Sequence, residues 1–225
     1  MKRITVLLAE DHTIVREGFR RMLELEGDME VVGEAQNGRE ALAMVKKLRP
    51  AVVLMDIAMP RLNGLEATRQ VLKELPGTKV LILSAHSDDA YVKNATDSGA
   101  VGFLLKQTSS HEVCQAIREV QKGKTFFSPS VSKRLDHLNP PSAGRLGKLV
   151  RKAVQLTSRE MEVLQLIAEG KANKETAAEL GIGMKTVEKH REHLMQKLGI
   201  HDTAGLTRYA ISAGIIESSV QLTIL

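Results

Sequence analysis

The sequence has no tryptophan, a single cysteine, two tyrosines and four phenylalanines. With Cys114 alone, neither an intrachain disulfide nor a thiolate metal site can form, which fits a reducing compartment. Cys114 itself reads as a small apolar helix residue. No stretch approaches the roughly 20 apolar residues needed to cross a bilayer. Met1 to Thr5 lack the apolar core and cleavage site of a signal peptide, so a cytoplasmic location without a membrane partner is expected. Only six prolines are spread over 225 residues, and 43% hydrophobic with 26% charged residues is the balance of an ordinary folded chain. That length suits one large or two ordinary domains.

Acid is not scarce, although the net charge is +5. Residues 1 to 127 hold 18 Lys+Arg against 17 Asp+Glu, residues 128 to 155 hold 6 against 1, and residues 156 to 225 hold 8 against 9. The basic excess therefore sits in the middle of the chain. Binding to nucleic acid has to be argued from individual side chains, with total charge giving weak support.

The first half alternates apolar runs with helical patterns. Strands are expected at Ile4 to Ala9, Met29 to Ala35, Val52 to Met55, Lys79 to Ser84 and Gly102 to Leu105. Helices are expected at His12 to Leu25, Arg39 to Lys47, Leu65 to Leu75, Asp89 to Ser98 and Ser109 to Lys122. Strict alternation with strands apolar nearly throughout predicts an α/β fold: a doubly wound, flavodoxin-like, five-stranded parallel sheet covered on both faces. From Ser128 to Gln155 periodicity breaks down around Asn139-Pro140-Pro141-Ser142, which reads as a linker. Beyond it, short helical segments separated by glycines predict a small all-α, four-helix domain. The expected division is 1–127, linker 128–155 and 156–225.

In such a sheet, function gathers at the carboxyl ends of the strands. The first strand ends in Glu10-Asp11 and the third in Asp56. Three carboxylates brought together repel one another unless a hard cation with oxygen ligands sits among them, and Mg2+ is the natural candidate. A carboxylate beside such a cation is a usable nucleophile toward phosphorus, a role assigned to Asp56. Lys106, at the end of the fifth strand, can balance charge on phosphoryl oxygens, and Ser84, ending the fourth, can donate a hydroxyl hydrogen bond. Each residue alone is most simply a solvated loop side chain; four of five strand ends carrying the types that phosphoryl transfer needs is a different matter.

These residues resemble the receiver domain of two-component response regulators over roughly residues 1 to 127. The resemblance implies that Glu10 and Asp11 hold Mg2+, with Asp56 as phosphoacceptor, Ser84 as switch hydroxyl, Lys106 as the receiver lysine and Phe103 as switch aromatic. It also implies that the backbone carbonyl of Ala58, in Met55-Asp56-Ile57-Ala58-Met59-Pro60, completes the metal shell, and that a sensor histidine kinase is a partner. Gln107 departs from the proline many receivers carry after the lysine, so the usual cis bond is not assumed there; His86 is a candidate for tuning phosphoryl lifetime.

In the last third, Thr157-Ser158 followed by acids predicts a helix starting near Ser158, with Val163, Leu164 and Ile167 on its core face. Asn173 to Leu180 and Met184 to Leu198, joined across Gly181-Ile182-Gly183, suggest a helix-turn-helix. On the longer helix Val187, Leu194 and Leu198 fall on one side and Lys185, Lys189 and Gln196 on the other. That split suits a groove-reading helix, though a lysine-bearing face is more often simply solvated, and Glu188 and Glu192 favour that plainer view. The run LTSREMEVLQLIAEGKANKETAAELGIGMKTVEKHREHLMQKLGI resembles the LuxR-type helix-turn-helix of the NarL/FixJ family. The resemblance implies Lys185, Thr186, Lys189 and His193 as DNA-facing side chains with Lys174 near the backbone; His190 reads as structural. The whole chain then resembles a regulator of promoter DNA that is not an enzyme and that works as a homodimer when phosphorylated. The basic linker residues Lys133, Arg134, Arg145, Lys148, Arg151 and Lys152 read as solubilising a tether. A nucleotide-binding enzyme on the same sheet is disfavoured, because Glu10-Asp11 stands where glycines would admit a pyrophosphate. A pheromone-sensing regulator would lack the strand-end acids, and a receiver working without phosphate has no need of Asp56, Lys106 and Ser84 together.

Overall fold

In the computed structural model, residues 3–85, 89–128, 131 and 156–216 are described, and the chain falls into two compact units, 1–153 and 154–225. The N-terminal unit runs β1 (Ile4–Ala9), α1 (Thr13–Glu24), β2 (Met29–Ala35), α2 (Gly38–Leu48), β3 (Val52–Asp56), α3 (Gly64–Glu74), β4 (Lys79–Ser84), α4 (Asp89–Asp97), β5 (Gly102–Leu105), α5 (Ser110–Gln121) and β6 (Phe126–Phe127). The sheet is parallel throughout, in the order β2-β1-β3-β4-β5-β6.

Alternate residues of each strand serve opposite faces. Leu7, Val53, Met55, Ile82 and Phe103 pack with Ala41 and Val45 of α2, Val71 of α3 and Val92 of α4. Val6, Leu8, Leu54, Leu83 and Leu104 pack with Leu23 of α1 and Val113, Ile117 and Val120 of α5. Burial on both faces explains the nearly continuous apolar runs. The parallel pairing puts every strand's carboxyl end at one edge.

The expected five strands become six. Phe126–Phe127 pairs in parallel with Gly102 and Phe103 of β5; two residues are too few to show a period of two, so no pattern announced this strand. Val131, on the linker side of the expected boundary, is fully buried in the same cluster as Phe103. β3 extends one residue further than expected, to Asp56.

Among its described residues the C-terminal unit has α6 (Ser158–Ala168), α7 (Asn173–Leu180), α8 (Met184–Leu198) and α9 (Thr203–Ser212). Thr157 and Glu160 form a reciprocal capping box at the start of α6. Gly181 and Gly199 end α7 and α8 in the left-handed region, with φ of 62° and 65°. Asp202 caps α9 by accepting from the Gly205 amide at 2.7 Å. One apolar cluster, including Leu164, Ile167, Leu180, Val187, Leu194 and Leu206, holds the four helices together. No described helix is long and apolar enough to cross a membrane.

Leu54 lies fully buried in a central strand. Leu54→Ala is expected to cost the N-terminal unit about 3 kcal/mol through lost burial plus the cavity left behind. Denaturant unfolding followed by circular dichroism should show a lower midpoint, and an unchanged one would mean that this core is not close-packed.

Candidate functional site

Glu10 closes β1, Asp56 ends β3 and Lys106 follows β5, so the parallel sheet delivers all three side chains to one edge. Glu10 and Asp56 are each only 1% exposed. The Lys106 ammonium lies 2.9 Å from Glu10 Oε2 and 3.0 Å from Asp56 Oδ2. Asp11 and His12 complete the group: each of Glu10, Asp11, His12 and Asp56 offers a ligand atom within 4.8 Å of the others. The His12 ring Nδ1 is 2.9 Å from Glu10 Oε1 and 3.0 Å from Asp11 Oδ1. The Ile57 amide donates to Asp56 Oδ1 at 2.8 Å.

Three acids against one half-buried lysine leave this edge short of positive charge. Burial pushes the Asp56 carboxyl up to about 7 from its ordinary 3.8; repulsion from Glu10 adds to this, and Lys106 offsets only part. Burial also raises Asp11, against the opposing pull of His12. For His12 the hydrogen bond to Glu10 dominates and raises its pKa. Burial works to lower Lys106, but the Asp56 and Glu10 charges outweigh it and leave its pKa raised. Glu10 Oε2, Asp11 Oδ1 and Asp56 Oδ2 are buried and ion-paired with Lys106 or His12 at 2.9 to 3.0 Å, but accept no hydrogen bond. Three hard oxygens with acceptor capacity to spare are a donor set that fits Mg2+ and would suit a soft metal poorly.

Ser84 is buried at the end of β4, and its carbonyl accepts from the Lys106 amide at 2.8 Å. Ala58 lies half-buried in the loop after Asp56. Phe103 points inward and is 0% exposed, among Ile82, Val92 and Val131. No described peptide bond is cis, that between Lys106 and Gln107 included. His86 lies outside the described residues, as do the six basic linker residues.

Sequence reasoning missed Arg16. Its guanidinium, buried at 6% exposure, donates through Nη1 to the Glu10 carbonyl at 2.8 Å and through Nε to Glu34 at 3.1 Å. It thereby ties the main chain of the acidic pair to β2. The signal was present: Arg16 sits seven residues before the fully buried Leu23, a cation on the core side of an amphipathic helix.

In the C-terminal unit, Lys185, Thr186, Lys189 and His193 are all exposed along α8, and Lys174 is exposed on α7. Val187 and Leu194 are buried, while Leu198 and His190 are half-buried. Glu188 and Glu192 share the exposed side. Two arginines brace the helices from behind: Arg159 of α6 reaches the Leu180 carbonyl at 2.9 Å, and Arg191 of α8 reaches Thr203 Oγ1 at 2.6 Å. Lys197 pairs with the buried Glu160 at 2.7 Å.

Residues 6–118 match the family model of the response regulator receiver domain, and residues 154–210 match that of the bacterial regulatory proteins of the luxR family. The chain belongs to the NarL/FixJ family of response regulators. The response regulator VraR of Staphylococcus aureus is 37% identical over 214 residues, covering 95% of this chain and 99% of that protein. A structure of the RcsB response regulator of Salmonella typhimurium superposes with a TM-score of 0.57 at 28% identity, covering 94% of this chain and 100% of that one. RcsB has also been solved in complex with DNA, at the same TM-score and identity and covering 99% of that chain. This NarL/FixJ regulator is thus a DNA-binding two-component protein with a receiver and a LuxR-type helix-turn-helix, of a transcription factor family that is not normally enzymatic.

The raised Asp56 pKa has a consequence for stability. Between about pH 4 and 7 the folded chain holds the Asp56 proton that the unfolded chain releases, so this group's contribution falls as pH rises through that window. In EDTA, Asp56→Asn should therefore melt several degrees above wild type at pH 8 and close to it at pH 4. A variant that melts at or below wild type at pH 8 would show that Asp56 carries no such strain.

Proposed function

We propose that Asp56 is the phosphoacceptor of this regulator and that its phosphorylation by a sensor histidine kinase controls promoter binding. The observation that carries this reading is the meeting of Glu10, Asp11, Asp56 and Lys106 at one sheet edge, with carboxylate oxygens left over for a cation. In the transfer, an Asp56 carboxylate oxygen forms a bond to phosphorus as the bond from phosphorus to the kinase histidine nitrogen breaks; the electron pair stays on that nitrogen, and a proton on the other ring nitrogen makes the departing histidine neutral. Glu10, Asp11, Asp56 and the Ala58 carbonyl would hold Mg2+, which when bound supplies charge to the phosphoryl oxygens. Lys106, already 3.0 Å from Asp56, follows its charge from the carboxylate to the phosphoryl group. Ser84 donates its hydroxyl to a phosphoryl oxygen.

Phosphorylation replaces the single carboxylate charge of Asp56 with about −1.5 to −2 charges on the phosphoryl group. Ser84 moves toward that charge and Phe103, in one apolar cluster with Ile82 and Val92, rotates, which alters the surface around α4 and α5 and favours a homodimer. Two copies of α8 then reach successive half-sites about 34 Å apart. Lys185, Thr186, Lys189 and His193 face the groove and Lys174 the backbone, in line with their exposure and with the existence of the RcsB–DNA complex. The receiver spans 1–127, the linker 128–155 and the DNA-binding domain 156–225, all within the cytoplasm.

Asp56→Asn treated with acetyl phosphate and Mg2+ should take up no phosphoryl group and show no beryllofluoride-induced change, against stoichiometric labelling of wild type. Labelling of the variant would move the acceptor elsewhere. For the DNA interface, Lys189→Ala should weaken promoter binding uniformly across sequences and reduce the salt slope by about one unit. A slope equal to that of wild type would remove Lys189 from the phosphate contacts.

A further inference from the structure

We propose that Gly38, at the start of α2, is a positioning residue for phosphoryl transfer, because it and Gly64 clamp the two ends of the loop that follows Asp56. The inference rests on the reading of Asp56 as phosphoacceptor. The loop runs from Ile57 to Asn63 and carries Ala58. At its beginning, the Ile57 carbonyl accepts from the Gly64 amide at 2.8 Å; at its end, the Leu62 carbonyl accepts from the Gly38 amide at 3.0 Å.

Both contacts exist only because neither residue has a side chain. A Cβ on Gly64 would lie 1.8 Å from the Asp56 carbonyl oxygen, and one on Gly38 would lie 2.3 Å from the Leu62 carbonyl oxygen and 2.9 Å from Ala67 Cβ. Neither glycine has a left-handed φ, so the demand is for space and not for an unusual dihedral angle. The obstacles at the carbonyls are backbone, which cannot swing aside as a side chain can. Gly33 makes the contrast: its Cβ would meet only the tips of Leu48 and Leu7 at 2.8 and 3.0 Å.

The two clamps are built alike. Asn37-Gly38-Arg39-Glu40 and Asn63-Gly64-Leu65-Glu66 share the pattern Asn-Gly-x-Glu. In each, the asparagine side chain is buried and accepts from the glutamate amide, which caps the helix. The cap fixes where the glycine amide points, and the missing Cβ lets it reach the loop. α2 therefore serves the phosphoacceptor although none of its side chains belongs to the acidic cluster. A Cβ at Gly38 must push the loop by on the order of 1 Å, a misplacement that can cost about 10²-fold in a reaction rate.

The test uses the full chain as wild type, Gly38→Ala, Asn37→Ala and Gly33→Ala. Initial rates of Asp56 labelling by acetyl phosphate are followed against Mg2+ concentration, and the Mg2+-induced rise in melting temperature is measured with no phosphodonor present. Gly38→Ala should label at least tenfold more slowly, need several-fold more Mg2+ for half-saturation, and show a smaller Mg2+-induced melting shift. Asn37→Ala, which loosens the cap, should move the same way by less. Gly33→Ala should lose stability and keep the wild-type Mg2+ dependence. The proposal is overturned by a wild-type Mg2+ dependence in Gly38→Ala, or by an equal change in Gly33→Ala, which would make the effect one of stability alone. If Gly38→Ala does not fold, Asn37→Ala decides by the same criterion. A wild-type chain that takes no label at Asp56 sinks the phosphoacceptor reading as well, whereas normal labelling of both wild type and Gly38→Ala sinks this inference only.

Discussion

Like charge held at close quarters is the constraint around which the N-terminal unit is organised. Glu10, Asp11 and Asp56 would separate in a free chain, and the fold keeps them together at a cost visible in the raised pKa of Asp56. Lys106 reaches two of them and Arg16 secures the main chain of one. The hydrophobic faces of the sheet supply the rest of the restraint, since Val6 to Ala9 before Glu10 and Val52 to Met55 before Asp56 are buried. An edge of this kind responds strongly to any added charge, positive or negative, because burial leaves little water to screen it.

The C-terminal unit solves an opposite problem. It leaves one side of α8 exposed and still holds a four-helix cluster with a small apolar core. Its cations divide accordingly. Arg159, Arg191 and Lys197 are spent on neighbouring helices and on the buried Glu160, whereas Lys185 and Lys189 stand exposed. Segment-wide charge balance could not have separated these two sets.

Much of this was legible in the sequence, for reasons that can be named. Strands buried on both faces read as apolar runs, and Ser84, Asp56 and Lys106 lay at their ends. The start of α6 was legible from Thr157-Ser158 followed by acids; Asn37, Asn63 and Ser109, each three residues before a glutamate, cap α2, α3 and α5 in the same way. Phe126–Phe127 was not legible, because a two-residue strand is defined by its partner. The place of Gly38 was hidden for a related reason: its requirement for space arises only when α2 meets a loop more than twenty residues further on. Phe103 was marked out by resemblance, but its inward packing against Val131 depends on a chain segment that shows no period of its own.

That packing bears on how the sheet lets go of the chain. β6 pairs directly with Phe103, the Ser128 amide lies 3.5 Å from the Phe103 carbonyl, and Val131 is sealed beneath the same surface. Ser128 and Val131 are thus rooted in the neighbourhood of the aromatic ring. Any rearrangement that evicts the ring must renegotiate the anchorage of both in the same stroke.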